Sequence, residues 1–181
     1  MSDPTSPFSD DLREYYYSAP PDVVALDTFE FRHPAFLNEA GAIVAIRVVN
    51  DPNELIATLE ANAPMNGGES VTFSASAFEV TLPESSSPGL PTCDIQVTNV
   101  SRLLTPWLKK ATQSPAPVQI TYRQYLADDR SAPGFVLDGL TIRKATANYL
   151  RVIATAGYED FLNMPFPRTI YTTSEFTGLV R

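Results

Sequence analysis

The chain has few residues of the types that could do chemistry. His33 is its one histidine and Cys93 its one cysteine. A nucleophile–histidine pair would have to use His33, which stands before Pro34 at an expected strand end, so we interpret it as a structural histidine. Sixty positions separate His33 from Cys93, which is not the spacing of a zinc site. We therefore predict no metal site, and we interpret Cys93 as a small buried hydrophobic residue.

The carboxylates also lack a catalytic arrangement. They occur as adjacent pairs at Asp10–Asp11, Asp128–Asp129 and Glu159–Asp160, whereas a glycosidase needs two carboxyl groups that flank one bond. The sequence MNGGES (65–70) has two glycines but lacks the Gly-Lys-Ser/Thr of a phosphate-binding loop. We predict that the protein is not an enzyme and takes no cofactor.

Composition sets broad limits on the class of protein. The chain has 181 residues, of which 44% are hydrophobic, so we predict one globular domain over 1–181. With 13 basic and 21 acidic residues the formal net charge is −8, and we expect no specific nucleic-acid binding because phosphates repel such a chain.

The sequence lacks the features of a membrane protein, of a secreted protein and of a disulfide-bonded protein. The longest apolar run, Ala42 to Ile46, is far shorter than the ~20 residues of a membrane helix, so we expect no membrane insertion. We expect no secretory signal either, since the first residues are acidic. A single cysteine excludes an internal disulfide and fits folding in a reducing cytoplasm.

The first 20 residues form a predicted helical arm. Ser9 can cap a helix whose first turn holds Asp10 and Asp11, where the helix dipole favours negative charge. Pro20–Pro21 ends that helix.

The rest of the chain is mainly predicted strands. Phe29 and Phe31 share one face of the first strand. The run 42–49, in which Ile43–Ile46 are apolar on both sides, predicts a central strand. Between Phe73 and Phe78 the apolar residues change phase, which predicts a bulge or turn near Ser76–Ala77. The segments 135–144 and 149–158 flank the polar link KATAN (144–148) as a predicted hairpin.

One segment has a helical period. The apolar stripe of that helix consists of Val100, Leu103, Leu104, Trp107, Leu108 and Ala111. Pro106 interrupts it, and two interpretations stay open: a kink, or a second short helix that Thr105 caps with Pro106 at its first position. About eight strands, one principal packed helix and a short N-terminal helix indicate a mainly β fold, a β-sandwich or flattened barrel.

Aromatic residues concentrate at both ends of the chain. Tyr15, Tyr16 and Tyr17 fan over about 200° of a helix, so either one ring packs and two lie on the surface, or the three form a partner face. The extended C-terminal segment 164–181 either docks on its own domain or on another chain. Its candidate contact residues are Phe166, Arg168, Tyr171, Phe176 and Leu179.

Several segments, in order, resemble a known family. They are FEFRHPAF (29–36), AIRVVND (45–51), VTFSASAFEVTLP (71–83), TNVSRLL (98–104), ITYRQYL (120–126) and FPRTIYTTSEFTGL (166–179). This set, which runs from Leu12 to Leu179, resembles the DUF1833 family of phage and prophage tail proteins. Thr177 departs from the pattern, in which proline is expected before Gly178-Leu179.

The resemblance implies a structural role in a virion. It implies a minor tail protein at the distal end, the tail tip or baseplate, of a long non-contractile (siphophage) tail, made in the bacterial host cytoplasm. The implied fold is a β-sandwich related to tube and distal-tail proteins. The implied assembly is a homo-oligomeric ring, sixfold or threefold, between the tail tube and the central hub, with the tape-measure protein nearby. The tyrosines and the C-terminal residues above are then candidate inter-subunit contacts.

Two rival functions stay open at the level of sequence. A carbohydrate- or receptor-binding β-sandwich module of the virion would use exposed aromatic rings as sugar platforms, and a specific sugar would raise its melting temperature. A hydrolase on a β scaffold would lose activity when Asp128 or Asp129 is replaced. A structural protein requires neither result.

Overall fold

The structure, a computed structural model, describes residues 7–18, 23–82, 92–98, 104–148 and 151–158. Its elements in chain order are α1 (Asp10–Ser18), β1 (Ala25–Arg32), β2 (Ile46–Val49), β3 (Leu55–Thr58), β4 (Ser70–Ala75), β5 (Phe78–Thr81), β6 (Thr92–Thr98), α2 (Thr105–Ala111), β7 (Gln119–Leu126), β8 (Phe135–Ala147) and β9 (Arg151–Tyr158). The predicted mainly β class is confirmed. The described ranges hold nine strands where about eight were expected, and β3 is the strand without a predicted counterpart.

All nine strands join one open sheet, which curves on itself in the manner of a β-sandwich or flattened barrel; we call it the barrel. Their order is β3-β4-β2-β1-β7-β8-β9-β6-β5, so β4 and β5 stand near opposite ends although two residues join them. At that link Ser76 N donates to Val49 O of β2 at 3.0 Å, and Thr98 N of β6 donates to Ala77 O at 2.8 Å. The link therefore brings the two ends of the sheet together.

The predicted break at Ser76–Ala77 is confirmed by this link. β4 ends at Ala75 and β5 begins at Phe78. Phe73 packs in a cluster outside the barrel, whereas the Phe78 ring lies 4.9 Å from Phe29 inside it. The change of apolar phase arises because the chain passes from one side of the sheet to the other.

The barrel interior is filled by inward-facing side chains of most strands. Phe29 and Phe31 point inwards from β1 as predicted, and Ile120 and Tyr122 meet them from β7. The Phe29 and Tyr122 rings are 5.3 Å apart. Truncating such a buried ring to alanine costs about 3–5 kcal/mol, so this layer dominates the stability of the barrel.

A second cluster lies on the opposite face of β1, β2 and β7. Leu26, Val49 and Tyr125 form its base, and Leu55 and Phe73 pack over them from β3 and β4. This face would otherwise contact water. Because β3 and β4 cover it, it forms a second buried layer.

The helix expected over 100–111 begins later in the described chain. α2 begins at Thr105, has Pro106 in its first turn and has Leu104, not Thr105, as its N-cap residue. The second-helix interpretation is right that Pro106 lies in the first turn, but it is wrong about the cap, and Pro106 is the second helical residue after Thr105. Residues 99–103 lie outside the described ranges. Trp107 and Leu108 pack half-buried against the barrel core.

Two strand boundaries differ from the sequence prediction. The expected strand over 42–49 is regular only as β2 (Ile46–Val49), and Ile43 is 53% exposed. The predicted link KATAN begins too early, because β8 continues to Ala147 and pairs with β9 as far as Val152. The predicted hairpin itself is confirmed.

Within the described ranges, neither α1 nor α2 has the length and apolar character that crossing a membrane requires.

Candidate functional site

α1 is fastened to the barrel at its first turn. Ser9 N donates to Gly134 O at 2.7 Å, and the Ser9 hydroxyl accepts the Leu12 N–H at 3.3 Å, as a cap does. Leu12 is fully buried. Phe8 bridges to Phe135 of β8, and their rings stack at 4.7 Å. The helix is thus held in a fixed direction, and its other side chains project from a rigid support.

The three tyrosines fan out, and of the two interpretations the structure has the arrangement with one ring packed and two on the surface; a role as a partner face stays a prediction. Tyr15 is half-buried, Tyr16 is 55% exposed and Tyr17 is 85% exposed. The Tyr16 hydroxyl donates to Gln124 Oε1 at 2.8 Å, and its ring meets Phe8 edge-on at 6.1 Å. Phe8 and Tyr16 are in contact, and Tyr17 follows Tyr16 along the helix; we call these three exposed aromatic residues the α1 surface.

The other candidate contact residues belong to the C-terminal segment. Phe166, Arg168, Tyr171, Phe176 and Leu179 lie outside the described residues, as does the whole of 164–181. Their role stays a prediction.

His33 occupies a structural position. It is buried, its Nδ1 accepts the Ala35 N–H at 3.0 Å, and its Nε2 lies 3.0 Å from Ala116 O. Because Nδ1 accepts, Nε2 must carry the proton and donate to Ala116. Both ring nitrogens are therefore used within the fold, as the sequence interpretation requires.

Cys93 also fits its predicted role. It is fully buried in the barrel core. Burial, with a smaller contribution from the Asp94 charge, raises the pKa of the Cys93 thiol to about 11. At neutral pH the sulfur is a thiol, which packs as a small hydrophobic group and is a poor nucleophile.

The acidic pairs do not converge on a described metal site. Asp128 and Asp129 border a shallow groove together with Asp11 and Glu14 of α1. Asp129 already accepts the Ser131 hydroxyl at 2.7 Å and the Ser131 N–H at 2.9 Å, and these bonds lower the pKa of its carboxyl. Within the described residues, no three His, Cys, Asp or Glu side chains are placed to hold an ion together.

The sequence analysis missed a buried group of charges on the outer face of β1, β2 and β7. Its centre is Glu30, which is fully buried. The Glu30 carboxylate lies 2.8 Å from Arg47 Nε, 3.3 Å from Arg32 Nε and 3.5 Å from Arg123 Nη1. The Arg32 and Arg123 contacts are ion pairs without hydrogen-bond geometry. We call this group, with Glu60, the Glu30 cluster.

Glu60 closes the Glu30 cluster from above. Its two carboxylate oxygens accept Arg123 Nε and Nη2 at 2.7 and 2.8 Å. Burial alone lowers the pKa of the Arg123 guanidinium, but the Glu60 hydrogen bonds and the charges of Glu30 and Glu60 outweigh burial and raise it. Arg47 also donates to Asn66 Oδ1 at 2.9 Å. Residues 59–69 are thus fastened to the sheet by charge-assisted bonds.

The rim of the Glu30 cluster reaches β8. Arg32 Nη2 donates to Thr121 Oγ1 at 2.9 Å and to Asp138 Oδ1 at 3.2 Å. Partial burial raises the pKa of Asp138, but the Gly139 N–H, the Thr121 hydroxyl and Arg32 outweigh it and hold that pKa below its usual range. The three arginines are balanced by Glu30, Glu60 and Asp138, so the arrangement fastens strands together and presents no unbalanced charge to a ligand.

The only sequence signal for the Glu30 cluster was weak. Glu30 and Arg32 alternate with Phe29 and Phe31, which is the usual pattern of a strand with one solvated face. Nothing in that alternation indicates that residues 59–69 cover the polar face.

The described elements define a mainly β protein: a flattened barrel with a packed helix and an aromatic surface on an N-terminal helix. Residues 11–171 match the family model DUF1833, a domain of unknown function, and the chain belongs to that family. This confirms the family inferred from the ordered segments. A comparison with curated proteins gives no match.

Proposed function

We propose that this protein is a structural minor tail protein of a long non-contractile phage tail. It acts at the distal end, where copies assemble into a ring between the tail tube and the central hub. The proposal rests on the resemblance of the ordered segments to phage and prophage tail proteins, whereas the match to DUF1833, a domain of unknown function, gives the family alone. On this proposal the protein works through contacts with other proteins of the virion.

The observation that carries the proposal is the α1 surface. Tyr17 is 85% exposed and Tyr16 is 55% exposed on a helix that Leu12 and Phe8 hold to the barrel. An exposed tyrosine is commonplace by itself. Neighbouring aromatic rings on a fixed support are typical of an interface, because they bury much area and lose little conformational entropy on binding.

A ring requires contacts between two different faces of the same protein. Such heterologous contacts close into a ring when a whole number of equal rotations between copies makes a full turn. Six copies or three copies would satisfy this condition. The α1 surface supplies one face, and the C-terminal segment 164–181 is proposed to reach a neighbouring copy or tail protein. An acidic chain of net charge −8 would also repel DNA from the inner wall of the ring.

The mass of the intact protein in solution tests the proposal. We expect a discrete ring by sedimentation velocity, and a monomer when the chain is truncated before Met164. Tyr17→Ser should weaken the ring, whereas the matched change Ile153→Ser, at an exposed apolar residue of β9, should not. A protein that stays monomeric in all forms and does not bind tube or hub proteins would contradict the proposal.

A further inference from the structure

Residues 36–44 form a small hairpin that projects from the barrel. Val44 N donates to Phe36 O at 2.8 Å, Asn38 N donates to Ala42 O at 2.9 Å, and Leu37 bridges to Ile43. The Asn38 side chain accepts the Ala42 N–H at 2.9 Å and closes the turn. These bonds define a built element, which we call the 36–44 hairpin.

The two sides of the 36–44 hairpin differ sharply in burial. Phe36 is 1% exposed and packs edge-on against Trp107 of α2 at 5.5 Å. Leu37 is 40% exposed and Ile43 is 53% exposed. Side chains of directly paired antiparallel residues stand side by side on one face, so Leu37 and Ile43 form a single apolar knob. Turn regions are ordinarily polar, so we take this knob as the candidate contact of the 36–44 hairpin.

An apolar groove lies on another side of α2. Leu108 and Ala111 of α2 form one wall, Pro117 and Val118 lie at its end, and Ile142 contributes from β8. Its volume is about 470 Å³, within the range of about 300–1,000 Å³ of pockets that take apolar ligands.

Two alanines form the floor of this groove. Ala145 and Ala147 pair with Ala154 and Val152 of β9, which are buried, and so face the same way. Both alanines are nevertheless exposed. Among the described residues, this inward-facing part of β8 is exposed, and its small side chains leave room for larger ones.

The knob and the groove belong to different faces of α2. Trp107 and Lys110 face the 36–44 hairpin: the Trp107 ring meets Phe36, and Lys110 Nζ donates to Leu37 O at 3.3 Å. The groove is lined by the stripe Thr105, Leu108, Lys109 and Thr112, spaced as one helix face. A knob on one face and a groove on another can meet only between copies, in a contact that repeats head to tail.

The charges around the two surfaces are complementary. Glu39 is the one charged residue of the 36–44 hairpin. Lys109 is the one charged residue among those that line the groove. A docked hairpin would therefore bring a carboxylate to the side of an ammonium group and would bury no unmatched charge in the groove.

We propose that the 36–44 hairpin of one copy docks into the α2–β8 groove of the next copy, with Leu37 and Ile43 over Ala145 and Ala147. This contact rests on the proposed ring and adds to the α1 surface a second pair of surfaces that joins its subunits. The occupant of the groove is a second copy of the chain, and repetition of the contact closes the ring.

Cross-linking between single-cysteine variants tests the docking directly. Ile43→Cys and Ala147→Cys are prepared separately with different tags, mixed and treated with a bis-maleimide. We expect a covalent dimer that carries both tags in the mixture and none with either variant alone. The buried native Cys93 does not compete. Ile43→Cys mixed with Ile153→Cys is the matched control and should not cross-link, because Ile153 lies on the outer face of β9 opposite buried Val152 and Ala154.

Sedimentation measures the contribution of the knob. Leu37→Ser with Ile43→Ser should raise the dissociation constant between copies about tenfold or more, since two apolar side chains lose their burial. Ile153→Ser should leave the constant unchanged. Both changes are at exposed positions, so the thermal unfolding of the monomer should stay as it is in the parent protein.

The results separate the docking contact from the ring itself. A ring that persists in the Leu37→Ser, Ile43→Ser protein, without the mixed cross-link, overturns the docking and leaves the ring proposal standing. A parent protein that is monomeric, does not cross-link and binds neither tube nor hub proteins overturns both. An Ala147→Cys thiol that reacts slowly with a maleimide in the monomer shows that another part of the same chain covers the groove, and this also overturns the docking.

Discussion

Glu30 is a carboxylate without contact with water, and three arginines lie within ion-pair distance of it. A buried carboxylate requires such partners, because moving a lone charge out of water costs several kcal/mol. The same reasoning applies to the arginines around it. The Glu30 cluster is therefore a set of mutually dependent charges. Removing one member leaves the others as buried charges that lack a partner, which destabilises the fold.

Glu30→Gln should destabilise the protein strongly. The change keeps the shape of the side chain but leaves Arg32, Arg47 and Arg123 without their central countercharge, so we expect the free energy of unfolding to fall by about 3–5 kcal/mol. Urea unfolding measures it. Glu79→Gln, an exposed strand glutamate of β5, is the control and should change the free energy by less than about 0.5 kcal/mol. A loss below about 1 kcal/mol for Glu30→Gln would contradict this account, since a broken buried pair costs more than that.

Single residues were predictable where their own neighbours decide their environment. The inward direction of Phe29 and Phe31 follows from alternation in one strand, and the structural role of His33 follows from the lack of a partner at catalytic spacing. Glu30 was not predictable, because its burial depends on Glu60, thirty positions away. The alternation of residues in β1 does not show that residues 59–69 cover its outer face.

At the scale of elements, the position of α1 depends on a glycine. Gly134 accepts the Ser9 N–H, and a Cβ atom at Gly134 would lie 2.9 Å from Ser9 Oγ and 3.0 Å from Leu12 Cβ. Both contacts are shorter than ordinary van der Waals distances. The absence of a side chain at Gly134 is what allows the first turn of α1 to lie against the barrel.

Gly134→Ala should loosen α1 while the barrel stays folded. We expect an overpacking cost of about 1–3 kcal/mol, seen as faster amide hydrogen exchange over residues 10–18. Gly67→Ala is the matched control: its Cβ would meet Ala61 O at 2.5 Å, so it should disturb residues 59–69 and leave exchange in α1 unchanged. Equal protection of α1 in the Gly134→Ala and parent proteins would show that the close approach does not hold the helix.

Elements were predictable from sequence where periodicity changes abruptly. The break between β4 and β5 follows from the opposed phases of Phe73 and Phe78, and the β8–β9 hairpin follows from two alternating runs. The 36–44 hairpin was missed because the apolar run 42–49 has the pattern of one continuous strand, although a turn that Asn38 and Gly41 close precedes it. The exposure of Ile43 depends on Phe36 packing against Trp107, a contact between distant parts of the chain.

At the scale of the whole molecule, net charge opposes assembly. Each copy carries a formal charge of −8, so copies in a ring repel one another, whereas the proposed contacts are mainly apolar. A single Glu39–Lys109 pair at a surface is worth at most about 1 kcal/mol. Apolar burial must therefore outweigh the repulsion between neighbours, and the balance depends on how far the charges act through the solvent.

Salt should strengthen self-association of this protein. Raising the ionic strength from about 0.01 M to about 0.15 M shortens the screening length from about 30 Å to about 8 Å, which removes most of the repulsion between copies and leaves apolar contacts intact. Sedimentation equilibrium should show a lower dissociation constant at the higher salt. A dissociation constant that rises steadily with salt would mean that ion pairs, and not apolar contacts, join the copies.

A variant of lower net charge separates this repulsion from other effects of salt. Glu54→Lys with Glu79→Lys replaces two exposed carboxylates that belong neither to the 36–44 hairpin nor to the groove. Because each change removes a negative charge and adds a positive one, the repulsion between copies falls while the proposed apolar contact is untouched. The variant should associate more tightly than the parent at low salt, and its dissociation constant should respond less to added salt. Identical salt dependence in the two proteins would show that net charge does not limit assembly.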